Sequence, residues 1–427
     1  MRHLICWVIV LSSIATGQNW EIEQITPRGA SEQGNLALDS SGRPHVGFSQ
    51  PVRYACRTDT GWLIEVVDAN EPGRASFVGD ICVDKDGQPH IGYYIQGWPE
   101  PDTVKYAYRD TGGGWQTEPV SCGSYNSLDL DRQGGPHMLF RRDTVIYYAY
   151  RRQDSWVILP LPVRWESAGG YRNYSMALDS AGHPGVALIR KKKGTDSLWV
   201  MFFEHDGTNW HRYNVRSILG YQDFGCRVGY DPDADQFHIA FSASFYTWGR
   251  DSLWSVDTTF IGLFMTYTGF ALHRGRPYFA SGYPMCPICC FWRSDERWRG
   301  EWIGDSCGIG ADPGIAVDST GRPHIVFSGG VFLKYARRLF PIGMDETGSP
   351  DAQRLMLKAT PNPARRMAQI GCPEGVTAVR VYDATGRLVK SLKPQKGMAT
   401  LSVISAGVYL LKAETDRQTL TAKLVVR

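Results

Sequence analysis

Hydrophobic and polar residues alternate in short runs through residues 36–338, and the runs are separated by turns rich in Gly, Asp and Thr. Alternation with a period of two is typical of β-strands that have one buried and one exposed face. The first unit predicts four strands, at residues 36–38, 44–49, 52–56 and 62–67. Gly42 supplies the backbone freedom that the turn between the first two strands needs. The pattern therefore predicts an all-β chain built from four-stranded antiparallel sheets.

The same unit is repeated along the chain. A turn opened by aspartate and followed by Gly-x-Pro-His is clearest at residues 39–45, 84–90 and 318–324. The residue that opens this turn recurs at Asp39, Asp84, Asp131, Asp179, Asp231, His273 and Asp318. A repeat in the mid-forties with four strands per unit is typical of β-propellers. We therefore expect a seven-bladed β-propeller over residues 18–340. A residue that recurs at one position of every unit favours a scaffold role for the repeated Asp and His.

The last unit lacks its fourth strand, whereas the N-terminal segment has one to spare. The seventh unit stops after Tyr335-Ala336, without the Trp-led strand that follows in the other units. Residues 19–25 look like that missing strand, with Trp20 at its start. Placing this segment beside Tyr335 would complete the last blade and tie the two ends of the domain together.

The first 17 residues have the pattern of a secretory signal peptide. Arg2 and His3 precede an apolar stretch over residues 4–14, and small residues follow up to Gly17. A membrane anchor is disfavoured, because 11 residues at ~1.5 Å each are too short for a ~30 Å hydrocarbon core. We expect cleavage near Gly17, export to the periplasm and no stable membrane span in the mature chain.

A linker over residues 341–353 is followed by a second domain at residues 354–427, where strong alternation predicts a small β-sandwich. Four elements occur in order: Pro361-Asn362-Pro363, a Val-Tyr-Asp-x-x-Gly-Arg hairpin at 381–387, Ala-Gly-Val-Tyr at 406–409, and Lys-Leu-Val-Val at 423–426. This stretch resembles the C-terminal sorting domain of the type IX (Por) secretion system. The resemblance implies that the type IX machinery is a partner, and that the protein is secreted or held at the cell surface. The alternative is an ordinary sandwich module with no role in transport.

Charge separates the two parts of the chain but indicates no nucleic-acid partner. The formal net charge is +3, and residues 351–427 carry 13 Lys and Arg against 5 Asp and Glu. The rest of the chain is therefore mildly acidic, with a net charge of 3 − 8 = −5. No basic stripe of the kind that follows a phosphate backbone is present.

Two sets of residues have metal-ligand or disulfide spacing. Asp231, Asp233 and Asp235 have the alternating oxygen spacing of a cation loop, but they lack its Gly and distal Glu. We therefore expect no metal there and no cofactor elsewhere. The cysteines of the second set lie close in sequence: Cys286, Cys289, Cys290 and Cys307. In an exported chain they favour a disulfide, with free thiols or zinc as alternatives.

The turns before the fourth strands are similar to those of sialidase-type propellers. Asp110-Thr-Gly112 before Trp115 and Asp206-Gly207 before Trp210 loosely resemble the Asp-box, or BNR, turn. The resemblance covers short turns only. Sialidase chemistry would also need an arginine cluster with a Tyr/Glu pair and an acid beside it. A single sequence does not establish that such residues come together in one site. We interpret these turns as structural.

Aromatic residues that are not part of the repeat concentrate in the loops and crossings on one face of the expected propeller. They are Trp98, Tyr125, Trp165, Tyr171, Tyr174, Phe224, Tyr246 and Trp248. Rigid amphipathic rings on one face suit sugar stacking or protein contact, although they can also pack loop against loop. The sequence favours a non-catalytic module that binds a glycan or a protein. The alternatives are a propeller-type glycoside hydrolase or lyase, and a structural component of a surface layer.

Overall fold

Every structural statement below concerns the residues that the computed structural model describes. These are residues 19–27, 34–69, 74–97, 99–110, 112–164, 173–191, 197–219, 225–241, 245–258, 267–282, 287–294, 297–306, 313–329, 332–342, 358–360, 367–372, 376–383, 387–395, 398–402, 405–414 and 419–426.

The chain divides into two compact units, with the division between Pro341 and Ile342. All regular secondary structure described in either unit is β-strand, so the prediction of an all-β chain is confirmed. The first unit consists of four-stranded antiparallel sheets in which consecutive strands pair, which fits a β-propeller.

The strands of the first unit form seven such sheets in the described residues. The first sheet contains β2 (Gly34–Leu38), β3 (Pro44–Phe48), β4 (Val52–Thr58) and β5 (Gly61–Asp68). The second contains β6 (Ser76–Val83), β7 (Pro89–Ile95), β8 (Thr103–Arg109) and β9 (Trp115–Cys122). The third contains β10 (Ser124–Leu130), β11 (Pro136–Arg142), β12 (Val145–Arg152) and β13 (Ser155–Arg164). The fourth contains β14 (Tyr174–Leu178), β15 (Pro184–Lys191), β16 (Ser197–His205) and β17 (Trp210–Leu219).

The remaining sheets of this unit follow the same order. The fifth contains β18 (Cys226–Asp231), β19 (Gln236–Phe241), β20 (Phe245–Arg250) and β21 (Leu253–Thr258). The sixth contains β22 (Tyr267–His273), β23 (Arg276–Gly282), β24 (Pro287–Ser294) and β25 (Arg297–Ser306). The seventh contains β26 (Gly314–Val317), β27 (Pro323–Ser328), β28 (Leu333–Arg338) and, as its fourth strand, β1 (Trp20–Gln24).

β1 lies where the sequence analysis expects it. It pairs antiparallel with β28, with Glu23 opposite Tyr335 and Trp20 opposite Arg338. Residues that follow β1 also bond to the seventh sheet, because the backbone N–H of Ile25 donates to Leu333 at 2.8 Å. The first described segment of the chain therefore supplies the outer strand of the last sheet.

The aspartate that opens each repeated turn caps its own turn. In the first sheet, Asp39 Oδ1 accepts hydrogen bonds from the backbone N–H groups of Ser41 and Arg43, both at 2.9 Å. Gly42 has a φ of 81°, the left-handed conformation that its missing side chain permits. The same arrangement recurs at Asp84, Asp131, Asp179 and Asp318.

A buried histidine contacts a tyrosine of the third strand in five sheets, and in four of them it also lies beside the aspartate of this turn. In the third sheet, His137 Nε2 lies 3.4 Å from Asp131 Oδ2, and its Nδ1 lies 2.6 Å from the Tyr148 hydroxyl. The carboxylate can only accept, so Nε2 carries the proton and Nδ1 accepts from the tyrosine. The equivalent pairs are His45–Tyr54, His90–Tyr106, His238–Tyr246 and His324–Tyr335. The scaffold role favoured for the repeated Asp and His is confirmed.

A second repeated cluster joins each of five sheets to the next. The carboxylate lies on the fourth strand of one sheet. It accepts hydrogen bonds from two residues of the next sheet: an arginine on the third strand and a tryptophan, through its indole N–H, on the fourth strand. We call this cluster the acid latch. Its members are Glu23 with Arg57 and Trp62, Glu65 with Arg109 and Trp115, Glu118 with Arg151 and Trp156, Asp257 with Arg293 and Trp298, and Glu301 with Arg338 and Trp20.

The second unit contains two antiparallel sheets that share one core. One sheet has the order β29 (Lys358–Thr360), β30 (Met367–Gly371), β33 (Met398–Ser402). The other has the order β32 (Leu388–Leu392), β31 (Val379–Tyr382), β34 (Gly407–Glu414), β35 (Thr419–Val426). Ile370 and Leu401 from the first sheet and Val381 and Leu411 from the second are buried in a single apolar cluster.

Candidate functional site

The first unit contains a cavity of about 1150 Å³. Its described lining includes residues of the first strand of every sheet: β2, β6, β10, β14, β18, β22 and β26. β14 contributes along its whole length, from Tyr174 to Leu178, whereas the other first strands contribute shorter stretches. The cavity is therefore lined by the inner strands of all seven sheets.

The second sheet contributes more to this cavity than its first strand. Phe77 of β6 and Tyr94 of β7 line it, as do Gln96 and Asp102 of the loop between β7 and β8. The rings of Phe77 and Tyr94 are stacked, with centroids 4.9 Å apart and planes 17° apart. We use the name side lobe for these four lining residues and Ser127 of β10.

Two aspartates on the inner strands shape the electrostatics of the cavity. Asp129 accepts the backbone N–H groups of Leu130 and Leu178, both at 2.8 Å, so its carboxylate bridges the third and fourth sheets. Burial raises the pKa of Asp129 to about 6, despite these two hydrogen bonds, and repulsion from Asp80 acts in the same direction. Asp80 accepts from the N–H of Ile81 at 3.0 Å and from the N–H of Leu128, on the inner strand of the third sheet, at 3.4 Å. Both carboxylates are therefore engaged in holding inner strands in place.

The structure places Tyr174 in the lining of the cavity. It begins β14 and is buried, and its hydroxyl donates to the backbone carbonyl of Ser124 at 3.3 Å. This links the start of the fourth sheet to the start of the third. Tyr174 is thus a wall residue of the cavity rather than an exposed ring.

Tyr246 and Trp248 do not lie in a loop, so that expectation is wrong. Both belong to β20, the third strand of the fifth sheet. Tyr246 is 2% exposed, and its hydroxyl contacts Nδ1 of His238, as in the other histidine–tyrosine pairs. Trp248 stacks on Tyr246, and the Arg293 guanidinium lies 5.0 Å from its ring centroid. Both rings are occupied by packing within and between sheets.

The other predicted aromatics cannot be placed by their side chains. Trp98, Trp165, Tyr171 and Phe224 lie outside the described residues, and only the backbone of Tyr125, in β10, is described. Their proposed role in binding stays a prediction.

The three aspartates with cation-loop spacing have other contacts. Asp231 Oδ1 accepts the N–H of Asp233 at 3.1 Å, and Asp235 accepts from the Tyr230 hydroxyl at 2.5 Å and from Arg250. In the described part of the chain, no three His, Cys, Asp or Glu side chains are grouped as a metal site would require.

The cysteine cluster is described only in part. Cys289 and Cys290 are buried successive residues of β24, so their side chains point to opposite faces of the sheet. Burial raises the pKa of the Cys290 thiol well above its usual range. Cys286 and Cys307 lie outside the described residues, so the disulfide stays a prediction.

The sequence analysis missed the acid latch and the side lobe. The latch had a visible signal, because Trp-x-x-Glu or Trp-x-x-Asp occurs at Trp20, Trp62, Trp115, Trp254 and Trp298. The side lobe had none, because Phe77 and Tyr94 meet as partners across β6 and β7, Gln96 follows in the next loop, and none of the three belongs to the repeat.

Comparison with solved structures finds distant similarities of shape. A protein of unknown function from Dyadobacter fermentans has 10% identity and a TM-score of 0.44, over 74% of this chain and 98% of that chain. AofleA from Arthrobotrys oligospora has 9% identity and a TM-score of 0.46, over 67% and 90%. A Hadza microbial sialidase has 11% identity and a TM-score of 0.38, over 75% and 66%. These similarities carry no argument about ligand or activity. No curated protein sequence matches the chain.

Among the described residues there is no helix with the length and apolar character needed to cross a bilayer. Residues 358–427 match the family model described as secretion system C-terminal sorting domain. This segment is therefore a type IX sorting domain, as the sequence motifs predicted, and it indicates secretion to the cell surface or the extracellular space.

Proposed function

We propose that the protein is an exported seven-bladed β-propeller that binds a glycan or a protein ligand in its central cavity. The sorting domain would deliver it, through the type IX machinery, to the site where that ligand is met. The observation that carries the binding role is the cavity of about 1150 Å³, because it is large enough for a ligand and has both polar and aromatic lining.

Contacts between inner strands support a ring of seven blades. Inner strands of consecutive sheets contact each other from β2 to β26, and β26 in turn contacts β2. At this last contact, a Cβ added to Gly314 would lie 2.9 Å from the carbonyl oxygen of Gly34, so the two backbones approach closely.

The acid latches support closure of the same ring at its outer side. Glu301 on the sixth sheet accepts from Trp20 of β1 and Arg338 of β28, both in the seventh sheet. Glu23 of β1 accepts in turn from Arg57 and Trp62 of the first sheet. β1 therefore makes the same contacts to its neighbours as the outer strands of other sheets.

Binding is favoured over hydrolysis by the state of the cavity carboxylates. A glycoside hydrolase needs two carboxyl groups free to face the scissile bond. Five carboxylates belong to the described lining, and each accepts at least one backbone N–H: Asp80, Asp102, Asp129, Asp131 and Asp179. A purely structural surface component would need no cavity of this size.

The test is binding by the mature full-length chain with the side lobe filled. Gln96 is exposed and lines the cavity, and we expect Gln96→Trp to obstruct this part of it without disturbing the fold. Gln116→Trp is the matched control, because Gln116 is exposed on β9, the outer strand of the same sheet.

Fluorescently labelled protein is applied to a glycan array and to washed cells of the producing bacterium. The expected result is at least about tenfold weaker binding for Gln96→Trp than for wild type or Gln116→Trp. Equal binding by all three proteins would contradict the proposal.

A further inference from the structure

The cavity reaches the surface at the repeated turns of three neighbouring sheets. Arg132, Ser180 and Pro232 lie in the turns of the third, fourth and fifth sheets and belong to the lining. The side chains of Arg132 and Pro232 are exposed. The repeated turns of the other four sheets are all described, and none of their residues belongs to the described lining. We call Arg132, Ser180 and Pro232 the turn mouth.

The turn mouth lies at the opposite end of the sheets from Gln96. The repeated turn of each sheet follows its first strand, whereas Gln96 and Asp102 belong to the loop after the second strand of the second sheet. Because consecutive strands of a sheet are antiparallel, these two connections lie at opposite ends of the strands. The lining therefore extends from one end of the sheets to the other, and it includes an exposed residue at each end.

Two of the turns that form the mouth are tied together. Arg250 donates to Asp179 in the fourth turn at 3.0 Å, to Glu204 of β16 at 2.5 Å, and to Asp235 in the fifth turn. The hydroxyl of Tyr230 also donates to Asp235, at 2.5 Å. A mouth that is held in one arrangement before binding reduces the entropy lost when a ligand enters.

The dimensions of the cavity fit one extended chain. The lining follows β14 and the turn after it over seven residues, from Tyr174 to Ser180, which is ~20 Å at ~3.3 Å per residue. Dividing the volume of about 1150 Å³ by this length gives a mean cross-section of about 60 Å², or a bore of ~9 Å. A folded domain of about 100 residues has a radius of gyration of ~13 Å and could not enter such a bore.

The inner strands offer a peptide few of the groups that it would need. Three backbone N–H groups of the lining donate to side chains of the preceding sheet: Leu128 to Asp80, Leu178 to Asp129, and Val228 to Ser175. A peptide that binds as an added strand pairs with N–H groups of this kind. A glycan has no such requirement, because its hydroxyls can donate to backbone carbonyls, each of which has two lone pairs. The capped N–H groups therefore favour a glycan over a peptide.

We propose that the cavity is a channel with two mouths, and that it binds a linear glycan chain that extends from Gln96 to the turn mouth. This rests on the proposed binding function and names the class and the shape of the ligand. The affinity should rise with the length of the chain until the chain reaches both mouths, because each added sugar residue lies inside the channel and makes further contacts with it.

The test is isothermal titration calorimetry on the mature full-length chain. The probes are disaccharides and hexasaccharides of four linear series: cello-, manno-, xylo- and chito-oligosaccharides. In at least one series, we expect the hexasaccharide to bind at least about tenfold more tightly than the disaccharide.

A substitution in the turn mouth tests the second opening. Arg132→Trp fills the mouth and should lower the affinity for the hexasaccharide at least about tenfold, towards that for the disaccharide. Lys85→Trp is the matched control, because Lys85 holds the same position in the turn of the second sheet, is exposed, and is not part of the described lining. It should keep the wild-type preference for the hexasaccharide, and equal urea midpoints of the two variants would show that the fold is intact in both.

The outcomes separate this inference from the proposed function. The inference is overturned if no series shows tighter binding of the hexasaccharide, or if Arg132→Trp and Lys85→Trp have the same preference. It is also overturned if binding to washed cells is lost after protease treatment but survives periodate oxidation of the sugars, because the ligand is then a protein. In each of these cases the proposed function stands if Gln96→Trp still weakens cell-surface binding. If Gln96→Trp alters no binding of any kind, both fail.

Discussion

Glu301 joins the sixth sheet to both outer strands of the seventh, β1 and β28. It accepts from Trp20 Nε1 at 3.0 Å, from Asn19 at 3.3 Å, and from Arg338 Nη2 at 2.8 Å. Arg338 is 1% exposed, so without Glu301 its guanidinium would be left buried beside an unpaired indole N–H. Burial alone would raise the pKa of Glu301, but the hydrogen bond and charge of Arg338 and the bond from Trp20 outweigh it and lower the pKa.

The size of the effect follows from the burial of the pair. Removing one partner of a buried ion pair costs about 3–5 kcal/mol. The side chain of Glu301 is 25% exposed, so water can reach part of the vacated space, and we expect Glu301→Ala to cost about 3 kcal/mol. Glu301→Gln keeps the shape and one acceptor and should cost about 1–2 kcal/mol.

Urea unfolding followed by tryptophan fluorescence measures this loss. No tryptophan follows Trp302, so the signal reports the first unit alone. With a slope of about 3 kcal/mol per molar urea, the midpoint should fall by about 1 M for Glu301→Ala. Combining Glu301→Leu with Arg338→Met should cost clearly less than the sum of the two single changes, because no charge is left buried.

The control is the neighbouring pair on the two strands that Glu301 contacts, Glu21 of β1 and Arg337 of β28. Glu21 and Arg337 form a pair 2.7 Å apart with side chains 45% and 42% exposed, so Glu21→Ala should cost no more than about 0.5 kcal/mol. If Glu301→Ala destabilises the protein no more than Glu21→Ala does, the reasoning about the latch is refuted.

The remaining predictions concern acid stability, the histidine–tyrosine pairs and export. Burial lowers the pKa of all five paired histidines, that of His238 to about 4. Their contribution to the free energy of unfolding is therefore complete above pH ~6.5 and is lost as the pH falls below that value. The urea midpoint should therefore be lower at pH 5 than at pH 7.5, although the single raised aspartate in the cavity opposes this trend, and a flat profile would count against it. Tyr106→Phe leaves His90 Nδ1 buried without its hydroxyl partner and should lower the free energy of unfolding by about 1–2 kcal/mol. In the same urea assay, the neighbouring Tyr108→Phe should lower it by less than ~0.5 kcal/mol. Deletion of residues 358–427 should leave the protein in the periplasm, and its appearance on the surface or in the medium by immunoblotting of cell fractions would contradict the sorting role.

The strands could be predicted because the repeat carries its own local signals. Turn-capping aspartates, positive-φ glycines such as Gly42 and Pro-His strand starts are all fixed by contacts within a few residues. Even the placement of β1 beside β28 followed from counting strands, since an unfilled position and a spare strand had to match.

The site could not be predicted in the same way, because it depends on contacts between distant residues. Tyr246 was misplaced because it is followed by Thr247, so the fifth unit lacks the Tyr-Ala pair that marks the third strand at Tyr54, Tyr106, Tyr148 and Tyr335. Cavity residues such as Phe77 and Gln96 belong to no repeated motif.

An experimental structure of the mature chain, determined with a ligand identified by the glycan array or cell-binding assay, tests the central claim most directly. The account predicts seven sheets around one cavity, β1 paired with β28, and the ligand inside that cavity in contact with Gln96. A ring of six or eight sheets, β1 docked elsewhere, or the ligand bound only on the outer strands would contradict it.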